Sequence, residues 1–325
     1  MVCIGNSRII RNTFSRLFFL CVGLMLFGSF AGCESSGASA GPKKRFDGHY
    51  PIKVVCTTGM VADLVRNVAG IHVDVVQLME DGVDPHLYKA RPGDVSRLSQ
   101  ADIIFYSGLH LEGKLADIFV RMARRKPTYA VTEQIDESRL LEFHDDFFDP
   151  HLWFDVSLWS ETVNVVVEAM QQFDPAHAEE YRTNAELYRS QLAELHENCK
   201  TRIATIPEKQ RVLVTAHDAF HYFGRAYGME VKAIQGVSTE SEAGVKKINE
   251  LVDFLVKRNI KAVFVETSVP ERNIRSLIEG CQARNHTVII GGELFSDAMG
   301  KPGTPEGTYV GMIHHNVETI VKALK

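Results

Sequence analysis

The sequence predicts an α/β protein of two lobes, each built on a mostly parallel four-stranded sheet flanked by helices, with one long rigid helix joining them. Three observations carry that reading. From residue 52, short apolar β-branched runs alternate with amphipathic stretches, the pattern of a βα repeat. The alternation stops and then resumes from residue 211. Between the two, 175–203 opens on proline and holds no glycine and no further proline, while being rich in Ala, Glu, Leu, Gln and Arg. That composition builds a helix and not a flexible linker.

In the first repeat, strands are expected over 52–56, 73–78, 103–107 and 128–131. Helical spacing covers 60–69, 93–100 and 114–124, and Gly70 and Pro127 stand where helices stop. The linking helix is counted as 175–206; at about 1.5 Å per residue it spans roughly 40 Å, the height of a domain, so it acts as a strut. The second repeat places strands at 211–215, 231–234, 262–266 and 287–290. Its helices fall at 220–227, 244–258 and 271–284, and a last helix covers 311–324. The lobes are thus expected over 51–174 and 207–325.

The N-terminus has a different character. Arg8, Arg11 and Arg16 precede an apolar run from Leu17 to Phe30, closed by Ala31-Gly32-Cys33. This is the three-part pattern of a secretory signal peptide, 1–33. The run is shorter than the roughly 20 residues of a membrane span and lacks a basic cytoplasmic flank. Ending on Gly-Cys resembles a bacterial lipobox, although Phe30 sits where leucine is usual. Cys33 is then the lipid attachment point, and acyl chains worth about 0.8 kcal/mol per buried methylene anchor the chain to a bilayer without a span. Residues 34–50, rich in Ser, Gly, Ala and Lys, read as a tether, which places the body outside the cytoplasm, in the periplasm or at the cell surface.

Losing 1–33 removes three arginines and no acids, moving the formal charge from -5 to -8. No basic footprint marks a nucleic-acid partner. Cys56, Cys199 and Cys281 are far apart in sequence and not at ligand spacing, so they read as small buried hydrophobes with no disulfide framework.

In open α/β sheets, ligands bind outside the carboxyl ends of the strands, where the loops converge. Those loops hold the triplet Asp-Pro-His twice, as Asp84-Pro85-His86-Leu87-Tyr88 and Asp149-Pro150-His151-Leu152-Trp153. Proline stiffens each turn, so each imidazole is delivered pre-set; Asp-Pro is also an ordinary turn opener. In the second repeat, His217 follows a strand in Thr215-Ala216-His217-Asp218, and Asp297 follows the last one in Phe295-Ser296-Asp297-Ala298. Each repeat offers two ligands to a shared cleft. Three imidazoles and a carboxylate complete a four-coordinate Zn²⁺ shell, or a five-coordinate Mn²⁺ shell if the carboxylate is bidentate.

The ordered set D-P-H-L-Y, D-P-H-L-W-F-D, T-A-H-D-A-F and G-G-E-L-F-S-D-A-M-G resembles the TroA-type metal-binding lipoproteins of ABC importers (the cluster A-I zinc and manganese receptors), over roughly residues 50–325. The resemblance implies two lobes joined by a rigid helix, one Zn²⁺ or Mn²⁺ held between them as cargo, and delivery to a permease with its ATPase. It carries over His86, His151, His217 and Asp297 as ligands, and a monomer is expected. Two departures stand out. Between Gly108 and Asp149 only His110 and His144 occur, where the zinc-specific branch often has a His-rich loop. His221 lies one turn after His217, where relatives usually carry a small residue; it is a fifth ligand, a replacement, or a helix-face residue. Glu266 ends a strand and either orients an imidazole or caps a loop. Asp84 and Asp149 read as turn caps, His110 as lying at the right edge of the sheet without touching the site, and His314-His315 as surface.

Two other classes use similar residues: a secreted zinc-dependent hydrolase and a surface adhesin with a structural metal. A catalytic zinc keeps an open position and a separate acid or base. Here four positions are filled, His-Glu-x-x-His does not occur, and Gly-x-Ser-x-Gly occurs only at 37–41 in the expected tether and not on a strand-to-helix turn, so no enzyme is expected.

Overall fold

The computed structural model describes residues 46–144, 147–240 and 244–325; the expected signal peptide, Cys33 and the tether up to residue 45 lie outside the described residues. In the N-terminal half, β1 (Ile52–Cys56), β2 (Val73–Gln77), β3 (Ile103–Tyr106) and β4 (Thr128–Ala130) form a wholly parallel sheet in the order β2-β1-β3-β4. The central strand β1 is buried on both faces except at Lys53, as expected where helices cover both sides of a parallel sheet. The helices are α1 (Gly59–Ala69), α2 (Pro92–Gln100) and α3 (Ala116–Ala123). Thr58 starts α1, its hydroxyl accepting from the Val61 N–H.

Two elements between β4 and the strut are invisible in the sequence pattern. A short antiparallel hairpin, β5 (Glu142–His144) with β6 (Phe147–Phe148), precedes the second Asp-Pro-His. After it comes α4 (Val156–Phe173), a helix of 18 residues. Its run Val163, Val165, Val166, Val167 has the composition of a strand, yet Asp155 caps it by accepting from the Ser157 and Leu158 N–H groups. Tertiary packing overrides propensity there: α4 packs against both the strut and α1.

The strut itself is α5 (Ala178–Ala204), entered through a 3₁₀ turn at Pro175–His177, as the sequence predicts. It packs against α1 and α4 of the first half and against α6 (His221–Tyr227) and α9 (Tyr309–Leu324) of the second. One continuous apolar core includes Met60 and Val65 of α1, Trp159 of α4, Leu192 of α5, Phe223 of α6 and Ile313 of α9. Each half also has a separate apolar cluster on the other side of its sheet.

In the second half, β7 (Val212–Thr215) pairs in parallel with β8 (Glu230–Ala233), and β9 (Ala262–Glu266) with β10 (Ile289–Leu294). The expected four-stranded sheet is therefore laddered as two parallel pairs; β7 packs beside β9 and Glu266 bridges them through side-chain contacts. α7 (Val245–Arg258) and α8 (Arg272–Gln282) cover the outer side. β10 runs four residues past the predicted end at 290. The extension carries Gly291 and Gly292, where α9 crosses so closely that a Cβ on Gly292 would sit 2.3 Å from Thr319 and one on Gly291 2.7 Å from Ala323.

The last five residues of the expected tether, 46–50, are seated on the body. Tyr50 donates to Asp174 at 2.8 Å, and Phe46 lies against Tyr50 and Phe173. Cys56, Cys199 and Cys281 are free and buried. Among the described residues, no helix is long and apolar enough to cross a membrane.

Candidate metal centre

His86 lies on the loop after β2, His151 after β6, His217 two residues past β7 and Asp297 three residues past β10. The fold brings these four together: one donor atom from each lies within 4.8 Å of all the others. His86 Nε2 is 3.3 Å from His151 Nε2 and 3.7 Å from Asp297 Oδ2. His151 Nε2 is 3.3 Å from Asp297 Oδ1, and His217 Nε2 is 3.2 Å from Asp297 Oδ2. All four are buried, His86 least so at 6% exposure.

The twin Asp-Pro-His turns share a start and then diverge. In both, the aspartate accepts the backbone N–H of the histidine, at 2.9 Å each. Asp149 goes on to bind His151 Nδ1 at 2.7 Å, fixing that ring so that Nε2 faces the cluster. Asp84 instead turns its other oxygen away to accept from Thr239 in the second half, at 2.6 Å. The turn-cap reading is thus complete for Asp84 and partial for Asp149.

Glu266 serves His217 as Asp149 serves His151. One carboxylate oxygen accepts from His217 Nδ1 at 2.5 Å; the other accepts the Ala216 and His217 N–H groups at 2.8 and 2.9 Å. This is the orienting role and not the loop cap alone. His221 stands outside the cluster. Its Nδ1 lies 3.6 Å from Asp149 Oδ2 and its Nε2 3.1 Å from Asp218, so it touches the carboxylate that holds His151. His110 is exposed on the loop after β3; His314 is exposed, and His315 Nε2 meets the Glu293 carbonyl oxygen at 3.0 Å.

Contacts across the two halves hold the loops in register. Trp153 donates its indole N–H to the Ser296 carbonyl, next to Asp297, at 3.1 Å. Tyr222 of α6 donates to the Asp149 carbonyl at 3.1 Å and accepts from the Leu141 N–H at 3.0 Å. Tyr309 of α9 donates to the Trp153 carbonyl at 2.6 Å. Trp153 closes the second Asp-Pro-His motif, whereas nothing in the sequence singles out Tyr222 and Tyr309, whose signal is spatial.

Burial pulls the His86 imidazole down to about 4, outweighing the Asp297 carboxylate, so the ring is a neutral donor at ordinary pH. Burial also disfavours a charged His151, but the adjacent Asp149 and Asp297 overcome it and raise the group to about 9. His217 is raised further by Asp297 and Glu266, again against burial. Asp297, although fully buried, is held well below the usual carboxylate range by His217 and His151. Even so, His217 Nε2 and both Asp297 oxygens make no hydrogen bond in this geometry. Buried polar atoms without partners demand an explanation, and atoms of three imidazoles and a carboxylate facing one point fit a borderline divalent cation.

Comparison with known proteins points the same way. The family model for ZnuA, "zinc-uptake complex component A periplasmic", matches residues 54–323. The manganese-binding lipoprotein MntA of Bacillus subtilis is 47% identical over 311 residues, covering 93% of this chain and 99% of that protein. The zinc-binding protein TroA of Treponema pallidum is 49% identical over 271 residues, 83% of this chain and 88% of that protein. A solved structure of the T. pallidum periplasmic zinc-binding protein TroA superposes with a TM-score of 0.83 at 48% identity, over 85% of this chain and 99% of that one.

Proposed function

The chain belongs to the ZnuA family of periplasmic zinc-uptake components, and on that premise we propose that it is the extracytoplasmic binding protein of a metal importer. It captures one Zn²⁺ or Mn²⁺ and delivers it to an ABC permease and its ATPase. A relative named for manganese and one named for zinc are almost equally similar to this chain, so likeness does not choose the cargo. The donor set accepts both ions, and zinc binds more tightly at almost any nitrogen and oxygen site. Supply and exchange rate therefore decide what is carried.

The ion is held by His86 and His151 from an N-terminal lobe, 51–174, and by His217 and Asp297 from a C-terminal lobe, 207–325, with 175–206 as the strut. Relatives named as lipoproteins support a lipid anchor at Cys33, which keeps the body beside its permease. The reading is capture and not turnover: Glu266 spends both oxygens on the His217 ring and two backbone N–H groups, and Asp149 Oδ1 holds the ring and backbone N–H of His151, so both act through the imidazoles they orient.

The observation that carries this is the convergence of four buried donors, three of whose atoms lack hydrogen-bond partners. Elemental analysis of the mature protein, purified without chelator or a histidine tag, tests it. One Zn or Mn per chain is expected, with loss of tight binding in His217→Ala and in Asp297→Ala. A parent that takes up neither ion on refilling overturns the reading.

A further inference from the structure

Beside the centre, between the two halves, lies a cavity of about 300 Å³. His86 forms part of its wall, whereas His151, His217 and Asp297 do not line it. The same cavity is lined by His110, an exposed imidazole. One space therefore connects a solvent-facing histidine with the least buried of the four proposed ligands. Its walls also include Phe143 and Phe147 of the β5–β6 hairpin from the first half and Val237, Ser238 and Glu240 from the second.

His110 is placed there deliberately by its loop. Gly108, Leu109 and His110 are all left-handed, at φ 96°, 50° and 64°. Such a backbone is unfavourable for leucine and histidine and persists only where its surroundings impose it. Here the buried Glu112 carboxylate does so, accepting the Ser107 N–H at 2.7 Å, the Gly108 N–H at 3.2 Å and the Thr57 hydroxyl at 2.6 Å. The ring of His110 then packs edge-on to Phe147, with centroids 4.9 Å apart.

We propose that this cavity is the passage by which the ion reaches and leaves the centre, and that His110 binds it in transit before His86 takes it over. The inference rests on the capture function above. His110 replaces one water of the hydrated divalent ion, and His86 then replaces His110; the ion keeps its oxidation state throughout. A residue used only in passage lowers the barrier equally in both directions. Its loss slows uptake and release by the same factor and leaves affinity unchanged, whereas loss of a ligand of the bound ion changes affinity.

The test is stopped-flow uptake of Zn²⁺ and of Mn²⁺ by the mature protein, and release to excess chelator, for the parent, His110→Asn and His110→Gly. Both substitutions suit a left-handed backbone, so folding is preserved. Unchanged stoichiometry and affinity are expected, with both rate constants about tenfold lower, equivalent to a barrier higher by about 1.4 kcal/mol. Added free imidazole should restore the rates of His110→Gly, which a structural role for His110 would not allow. Parent-like rates in both variants overturn the proposal, as does an altered affinity with only one rate affected. A parent that binds neither metal overturns the capture function itself, a result the rate comparison cannot mimic.

Discussion

Glu266 closes a chain of contacts that aims His217 Nε2 at the cluster, since its carboxylate holds both the ring Nδ1 and the backbone that carries the ring. Replacing it by glutamine turns an acceptor into a donor facing Nδ1. Glu266→Gln should retain one metal per chain but lose about 10- to 100-fold in affinity, measured by competition with a chelator. Protons compete for the same atoms. In the metal-free protein Asp149, Glu266 and Asp297 raise the proton affinity of His151 and His217 despite burial, so both rings hold a proton more tightly than a free imidazole. A bound cation displaces those protons. Affinity should therefore fall on acidification and rise with pH at least to about 9, where His151 loses its proton unaided. Each proton displaced contributes about tenfold per pH unit, and loading in weakly buffered solution should acidify it. At this scale much of the centre was legible: each of the four converging residues stands in the loop that follows a predicted strand, His151 at the end of the longest of them. The support for them was less so. Asp149 and Asp84 occupy the same place in the same motif, yet only Asp149 reaches its histidine ring, because Thr239 draws Asp84 toward the second half.

Elements were readable where local pattern and tertiary role agree. β1, with its apolar β-branched run, and α5, with its unbroken helical composition, fall where composition puts them. α4 was hidden because its valine-rich stretch has the local preference of a strand and is made helical by packing between α1 and the strut. β10 extends past its apolar β-branched run through a glycine pair that has no strand preference of its own and is fixed by the close approach of α9. That explanation has a consequence for stability. Gly292→Ala pushes a methyl into Thr319 and should destabilise the fold by about 1–3 kcal/mol, read from denaturant unfolding of the metal-free protein. Because Asp297 leaves the end of this strand, metal affinity should weaken with it.

Across the whole molecule, the two halves share one apolar core. Trp153, Trp159, Phe220 and Tyr309 are fully buried and come from both sides of the strut. Each such aromatic buries about 150–250 Å², worth about 4 kcal/mol or more at 25 cal/mol per Å², so a wide hinge opening that exposes them is too costly to accompany each cycle. On the capture proposed above, the second half then shifts only modestly about the strut, so that His217 and Asp297 close on an ion already touched by His86 and His151. The claim on which everything else depends is that one ion sits between the halves on these four residues. Crystals of the metal-loaded protein, measured at the zinc or manganese absorption edge, address it most directly. A single anomalous peak within bonding distance of His86, His151 and His217 Nε2 and of the Asp297 carboxylate is predicted. A peak elsewhere, or one touched by residues of only one half, would contradict it.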